Sequence, residues 1–126
     1  QIGKRYIALV QGLLLADAGE VNLPLICDWP RRPRQIVHHE LGKAAHTRWC
    51  VLARDEAKQE SRVELEPVTG RSHQLRVHMA EIGHPIVGDD FYGAAAAPRV
   101  MLHAAELRLQ HPVTGLDLAW HSAPDF

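Results

Sequence analysis

Apolar and polar positions alternate with a period of two along most of the chain, and that rhythm predicts strands. Tyr6 to Val10 is apolar on both alternating faces, as expected of a central strand covered on each side, and Gln11-Gly12 ends it. A turn at Asp17 to Gly19 is followed by a short strand-like piece around Leu23 to Ile26. Asp28 to Pro33 holds two prolines and two arginines and reads as an ordered loop rather than sheet interior. Ile36 to His39 and Thr47 to Leu52 are further strand candidates, joined through Gly42-Lys43, and polar Arg54 to Glu60 reads as a connection. Arg62 to Glu66 alternates cleanly, with Val63 and Leu65 turned inward and Arg62, Glu64 and Glu66 outward. Near the end, Leu107 and Leu109, then Leu116, Leu118 and Trp120, alternate about a turn at His111 to Gly115, which predicts a closing hairpin.

The rhythm changes once. Leu75, Met79 and Ile82 follow i, i+4, i+7 and predict a helix with a core-facing stripe. Thr69, after Pro67, is its expected N-cap, and Gly83 its stop, with Pro85 beyond. Many strands and one clear helix, with no internal repeat and no low-complexity linker, predict an α+β domain built on a mixed, largely antiparallel sheet with few helices.

A chain of 126 residues is one domain able to bury a core without disulfide or metal help. No apolar run approaches bilayer length and no charged-then-apolar signal opens the chain, so no membrane partner is expected and a cytoplasmic location is the default. Cys27 and Cys50 are far apart and form no CxxC, which predicts free thiols in a reducing compartment. The net charge of −1 argues against a nucleic-acid partner, but its distribution changes the picture. Of the 14 basic residues 11 are arginine, whose planar fork suits phosphate and base edges. Arg31, Arg32 and Arg34 lie in a stretch, Arg31 to His39, without an acid, while Asp55, Glu56, Glu60, Glu64 and Glu66 gather elsewhere. A polarised surface would reconcile a near-neutral total with RNA binding.

The densest polar constellation is Gly70-Arg71-Ser72-His73-Gln74-Leu75-Arg76-Val77-His78, expected on the first turns of the helix. Free N–H groups and the dipole at a helix start favour an anion. His73 and Arg76, three apart, share a face. Such a platform fits a phosphate, a carboxylate or a uracil edge; a solvated helix face with snorkelling arginines fits the same residues. Nine histidines invite a metal, but the spacing argues against one. His73 and His78 stand roughly 140° apart around a helix, and adjacent His38 and His39 point to opposite faces of a strand. There is no HExxH, GxSxG, P-loop or GxGxxG, so neither a metal nor a cofactor is expected. Asp89-Asp90, between Gly88 and Phe91, reads as a turn in preference to a carboxylate pair. Tyr6, just after Lys4-Arg5, is equally a core aromatic or a ring placed to stack on a base.

Three segments carry a family resemblance. Val68-Thr69-Gly70-Arg71-Ser72-His73-Gln74-Leu75-Arg76-Val77-His78-Met79, continuing through Gly83-His84-Pro85-Ile86-Val87-Gly88-Asp89 to Tyr92, resembles the signature of RluA-type pseudouridine synthases. Lys4-Arg5-Tyr6-Ile7-Ala8 is similar to that family's tyrosine motif, and Met101-Leu102-His103-Ala104 to its later leucine motif, all in the family's order. Leu23-Pro24-Leu25-Ile26-Cys27-Asp28-Trp29-Pro30 and the arginines after it resemble the synthase A branch, associated with 23S ribosomal RNA and transfer RNA.

The resemblance implies a pseudouridine synthase catalytic fold and roles residue by residue. Arg76 would pair with the catalytic aspartate, Tyr6 would stack on the target uracil, and Leu102 would pack beside that ring as an apolar wall. Arg71, with His73 and Gln74, would support the site or contact RNA backbone, and Arg31, Arg32 and Arg34 would lie near RNA. The reaction implied is isomerisation of uridine without cofactor or metal, after the base is flipped from its stack. One departure is serious. The family's aspartate belongs to an HRLD-like motif upstream of the tyrosine motif, and none of Asp17, Asp28, Asp55, Asp89, Asp90, Asp117 or Asp125 sits in such a context. The expectation is therefore the C-terminal portion of a catalytic domain, residues 1–126, cut inside the domain and inactive alone. A non-catalytic RNA-binding module of the same fold is the alternative. Loss of upstream strands would expose a sheet edge and favour pairing or dimerisation there.

Overall fold

The computed structural model describes residues 2–110 and 117–126. Six strands form one sheet in the order β2-β5-β6-β1-β7-β8. They are β1 (Ile2–Gln11), β2 (Ala18–Asn22), β5 (His46–Asp55), β6 (Glu60–Pro67), β7 (Leu102–Gln110) and β8 (Asp117–His121). A second sheet pairs β3 (Leu25–Cys27) with β4 (Gln35–Val37). Every strand pairing among the described residues is antiparallel.

The strand apolar on both faces, β1, lies inside the sheet between two neighbours. Ile7, Ala8 and Val10 are all buried, and β1 pairs with β6 (Tyr6↔Leu65, Ala8↔Val63) on one side and β7 on the other. The inward set of β6 is the predicted one, with Val63 and Leu65 fully buried. The helix α1 (Gln74–Glu81) lies over the face that carries Ala8, Val10, Val63 and Leu65, and Leu75 and Met79 enter that core with Ile82 at its edge. Its other flank presents Val77 to a smaller cluster with Leu25, Ala45 and Tyr92, which seats the two-stranded sheet. Burial of these apolar side chains, each contributing about 1.5–3 kcal/mol, anchors so short a helix.

Two expectations on element boundaries are corrected. The helix starts at Gln74, not after Thr69, because His73 adopts a left-handed conformation (φ 54°, ψ 17°) that cannot belong to an α-helix. Arg71 and Ser72 consequently lie on a turn before the helix rather than on its first turn. The stop at Gly83 (φ 90°) is as expected. Asp17 to Gly19 is not a turn but runs into β2. Gly19 is needed there for packing, since a Cβ would collide with the Trp49 indole across the strand pair. The Asp28 to Pro33 loop is ordered as predicted, closed by Asp28 N–H donating to the Arg34 carbonyl (2.8 Å) around a turn at Trp29–Arg31. β7 and β8 pair as the expected hairpin, whose turn at His111 to Gly115, with Leu116, lies outside the described residues. No helix among the described residues is long and apolar enough to cross a membrane.

Candidate active site

β1, the 67–76 segment and the start of β7 meet around a cavity of 220 Å³ lined by Tyr6, Arg71, His73, Gln74, Arg76 and Leu102, together with Lys4, Pro67, Thr69, Gly70 and Leu75. Residues from three separate motifs thus share one wall. Tyr6 and Leu102 are brought together by the sheet: both lie in the β1–β7 ladder, where Tyr6 faces Ala104 and Ala8 faces Leu102. A register shift between Arg5 and Tyr6 interrupts that ladder at the cavity.

Arg76 is the electrostatic centre. Its Nε–H donates to Asp89 Oδ2 (2.9 Å) and its Nη2–H to Asp89 Oδ1 (2.8 Å), a two-pronged pair. Asp89 is only 1% exposed, so the carboxylate needs such a partner, and the hydrogen bond to it raises the Arg76 pKa further. Nη1 lies 3.3 Å from His73 Nε2. Arginine can only donate, so Nε2 accepts, and the ring proton sits on Nδ1, which donates to Tyr92 Oη at 2.6 Å. Burial first, and the neighbouring guanidinium second, lower the His73 pKa, in keeping with this neutral ring. Burial likewise raises the Tyr92 pKa. The Tyr92 ring also lies under the Arg76 guanidinium, 5.1 Å from its centroid.

A buried hydrogen-bond network fixes the turn that carries Arg71 and His73. Gln74 Nε2 donates to the His46 carbonyl (2.8 Å) and to Thr47 Oγ1 (3.0 Å). Gln74 Oε1 accepts from Thr69 Oγ1 (2.6 Å) and from Arg71 N–H (3.1 Å). Thr47 Oγ1 in turn donates to His78 Nδ1 (2.8 Å), because His78 Nε2–H is committed to the Leu23 carbonyl (2.9 Å). Burial lowers the His78 pKa and keeps the ring neutral. His78 is a satisfied core histidine. Gln74, 3% exposed with its amide fully engaged, is built to hold the turn rather than to reach RNA backbone. Arg71 is exposed; its Nε–H donates to the Ala44 carbonyl (2.9 Å), and its two Nη groups take no protein partner among the described residues.

The arginine-rich stretch lies outside the cavity. Arg31 pairs with Asp28 (3.1 Å), and Arg32 stacks on exposed Trp29 at 5.0 Å from the ring centroid. Arg34 stacks on Tyr92 (5.6 Å), and the neighbouring Gln35 N–H donates to Tyr92 Oη (3.0 Å), so this loop touches the site through that one phenol. A larger open groove of 650 Å³, lined by Leu9, Ala53 to Glu56, Lys58, Glu60 and Arg62, has mixed charge and no comparable convergence of donors. Among the described residues no three His, Cys, Asp or Glu side chains are placed to hold a metal ion.

Sequence reasoning missed Asp89 and Tyr92. The turn reading of Asp89 is right for its backbone, whose N–H donates to the Ile86 carbonyl and whose carbonyl receives Tyr92 N–H and Ala94 N–H. The side chain has a second task. The available signal was Arg76, the one cation of permanent charge on a helix whose neighbours Leu75 and Val77 face the core, which favours a carboxylate from another segment.

The family model described as RNA pseudouridylate synthase matches residues 1–81. The chain belongs to the RNA pseudouridylate synthase family. Among curated members, the dual-specificity RNA pseudouridine synthase RluA of Haemophilus influenzae is 53% identical over 127 residues, covering 98% of this chain and 58% of the relative. The RluA of Escherichia coli (strain K12) is 49% identical with the same coverage. The solved structure of human RNA pseudouridylate synthase domain containing 1 superposes with a TM-score of 0.84 at 30% identity, over 99% of this chain and 56% of that one. Human RNA pseudouridylate synthase domain containing 4, at 24% identity and a TM-score of 0.77, shares the fold. The chain therefore spans about three-fifths of the length of the curated members it matches.

Proposed function

We propose that the protein to which this chain belongs is an RNA pseudouridine synthase, and that residues 1–126 are the C-terminal portion of its catalytic domain. The observation that carries this reading is the convergence of Tyr6, Arg76 and Leu102 on one cavity. A flipped uridine would enter it with the base against the Tyr6 ring and Leu102 as the apolar wall. The C1′–N1 bond breaks, the base turns, C1′ bonds to C5, C5 gives up its proton and N1 gains one.

Arg76 has an unused N–H on each of Nη1 and Nη2 after serving Asp89 and His73. That edge is suited to a second carboxylate, the catalytic aspartate of an HRLD-like segment supplied from outside these residues, which it would keep ionised and oriented. Asp89 is not that nucleophile, being committed to Arg76 and nearly inaccessible. Arg71 would meet RNA backbone. Arg31, Arg32 and Arg34 would lie beside the RNA outside the cavity. The relatives' dual-specificity name supports more than one RNA substrate; the resemblance to the synthase A branch makes 23S ribosomal RNA and transfer RNA stem-loops the proposed pair, with a cytoplasmic location.

Replacing Arg76 by alanine in the full-length protein should abolish tritium release from uridine labelled at C5 and leave RNA binding largely intact. Retained release sinks the assignment. The second reading, a non-catalytic RNA-binding module, is favoured by one observation: among the described residues the only carboxylate joined to the cavity is Asp89, already paired. It predicts salt-dependent RNA binding by the full-length protein with no release of tritium from any RNA. The sheet edges at β2 and β8 are proposed as sites for pairing with the remaining chain or a second copy, which sedimentation at increasing concentration would reveal.

A further inference from the structure

A second cavity, of 280 Å³, lies beside the first and is lined by Asn22, Pro24, Ala44, Ala45, His46 and Thr69, with Gly42. Thr69 lines both cavities. Arg71 joins them as well: it lines the first, and its guanidinium is tethered to the Ala44 carbonyl, which belongs to a residue of the second. The tether uses Nε alone and leaves both Nη groups without a protein partner among the described residues. The order along the surface is therefore cavity, fixed guanidinium, cavity. In single-stranded RNA the corresponding order is base, phosphate, base.

The chemistry of the second cavity favours a base over a phosphate. Pro24, Ala44 and Ala45 give it apolar walls, and its lining holds no lysine or arginine. The His46 ring is already bonded to Glu20 (2.8 Å). Asn22, at the end of edge strand β2, is exposed, and its amide has no protein partner among the described residues. A free amide carries one acceptor and two N–H donors and can read a base edge.

We propose that this cavity is the subsite for the nucleotide adjacent to the target uridine, with Arg71 holding the phosphate between the two and Asn22 reading the neighbouring base. The proposal rests on the reading of the first cavity as the uridine site. Its occupant is a single-stranded nucleotide continuous with the substrate, and it predicts sequence preference at one flanking position.

The test uses the full-length protein and stem-loop RNAs tritiated at C5 of the target uridine, with an abasic residue placed immediately 5′ or immediately 3′ of it. One of the two abasic RNAs should show a KM raised roughly tenfold, the scale of losing one stacked base, with much less change in kcat. Ala44→Leu, which fills the cavity from an exposed position, should raise KM by a similar factor on intact RNA and add nothing on that abasic RNA. Asn22→Ala, on the exposed edge strand, should narrow the differences among the four bases at the same position, and carries the test if Ala44→Leu fails to fold. The subsite is overturned if both abasic RNAs behave as the intact one, or if Ala44→Leu raises KM equally on intact and abasic RNA. Those results leave the uridine site standing. Absence of tritium release from every RNA tested overturns both readings together.

Discussion

Replacing Asp89 by asparagine removes one charge and one of two acceptor oxygens while keeping the side chain's shape. Asp89 is 1% exposed and Arg76 23%, so the pair is buried on one side and only partly wetted on the other. Breaking a fully buried pair costs about 3–5 kcal/mol because the surviving charge is left uncompensated. Water can reach part of the Arg76 side chain, which lowers the expected cost to about 2–3 kcal/mol. The backbone of the turn, bonded to Ile86, Tyr92 and Ala94, should persist. Urea denaturation should therefore show a midpoint lowered by more than about 1 M at an unchanged slope. The second consequence is catalytic. A guanidinium held by one prong can rotate, and losing a charge-assisted bond of about 1.5–3 kcal/mol should slow tritium release roughly 10- to 100-fold. A D89N protein that unfolds within about 0.5 kcal/mol of the parent and releases tritium at the parental rate would refute the view that Asp89 positions Arg76.

Gln74→Leu leaves Thr69, Arg71, His46 and Thr47 groups without their amide partner and should cost roughly 3 kcal/mol, read by chemical denaturation. Gly88→Ala should destabilise by more than about 2 kcal/mol, since Gly88 has a φ of 86° and a Cβ there would run into the Arg99 carbonyl; a silent substitution would contradict that close approach. Stability should fall on acidification below pH 6.5, the ordinary histidine value, from which burial lowers both His73 and His78. The unfolded chain then binds more protons than the folded one, so the stability present above that pH is lost as pH falls; His78→Gln should flatten this dependence in pH-resolved melts. Tyr92→Phe, which deprives His73 Nδ1–H and Gln35 N–H of their acceptor, should cost about 1–2 kcal/mol in the same melts.

What the sequence made legible was whatever a local period or a contiguous motif records. The double-faced apolar run at Tyr6 to Val10 announces an inner strand, and the inward Val63 and Leu65 announce a half-buried one. Tyr6, Arg76 and Leu102 were readable as candidate site residues through resemblance, and they line one cavity. Less legible was anything decided by a partner distant in sequence. Gly19 reads as a turn former until Trp49 is seen lying across it. His73 reads as helical until its left-handed φ is seen, a conformation no periodicity reports. Asp89 reads as a turn residue because its backbone is one, and its charge pair with Arg76 exists only once the helix has docked.

The position of β1 at the middle of the sheet bears on how the chain comes to fold. Tyr6 pairs with Leu65 on one side and with Ala104 on the other, so β1 waits for β6 and then for β7. Until residues near 65 have been synthesised, this apolar ribbon has neither of the two neighbours it pairs with here. Such long-range pairings close large loops and slow folding. During synthesis this ribbon is the segment a chaperone would find uncovered. Because Tyr6 meets Leu102 only once β1 and β7 have paired, the cavity they line exists only with that long-range contact, and a partly folded chain lacks it.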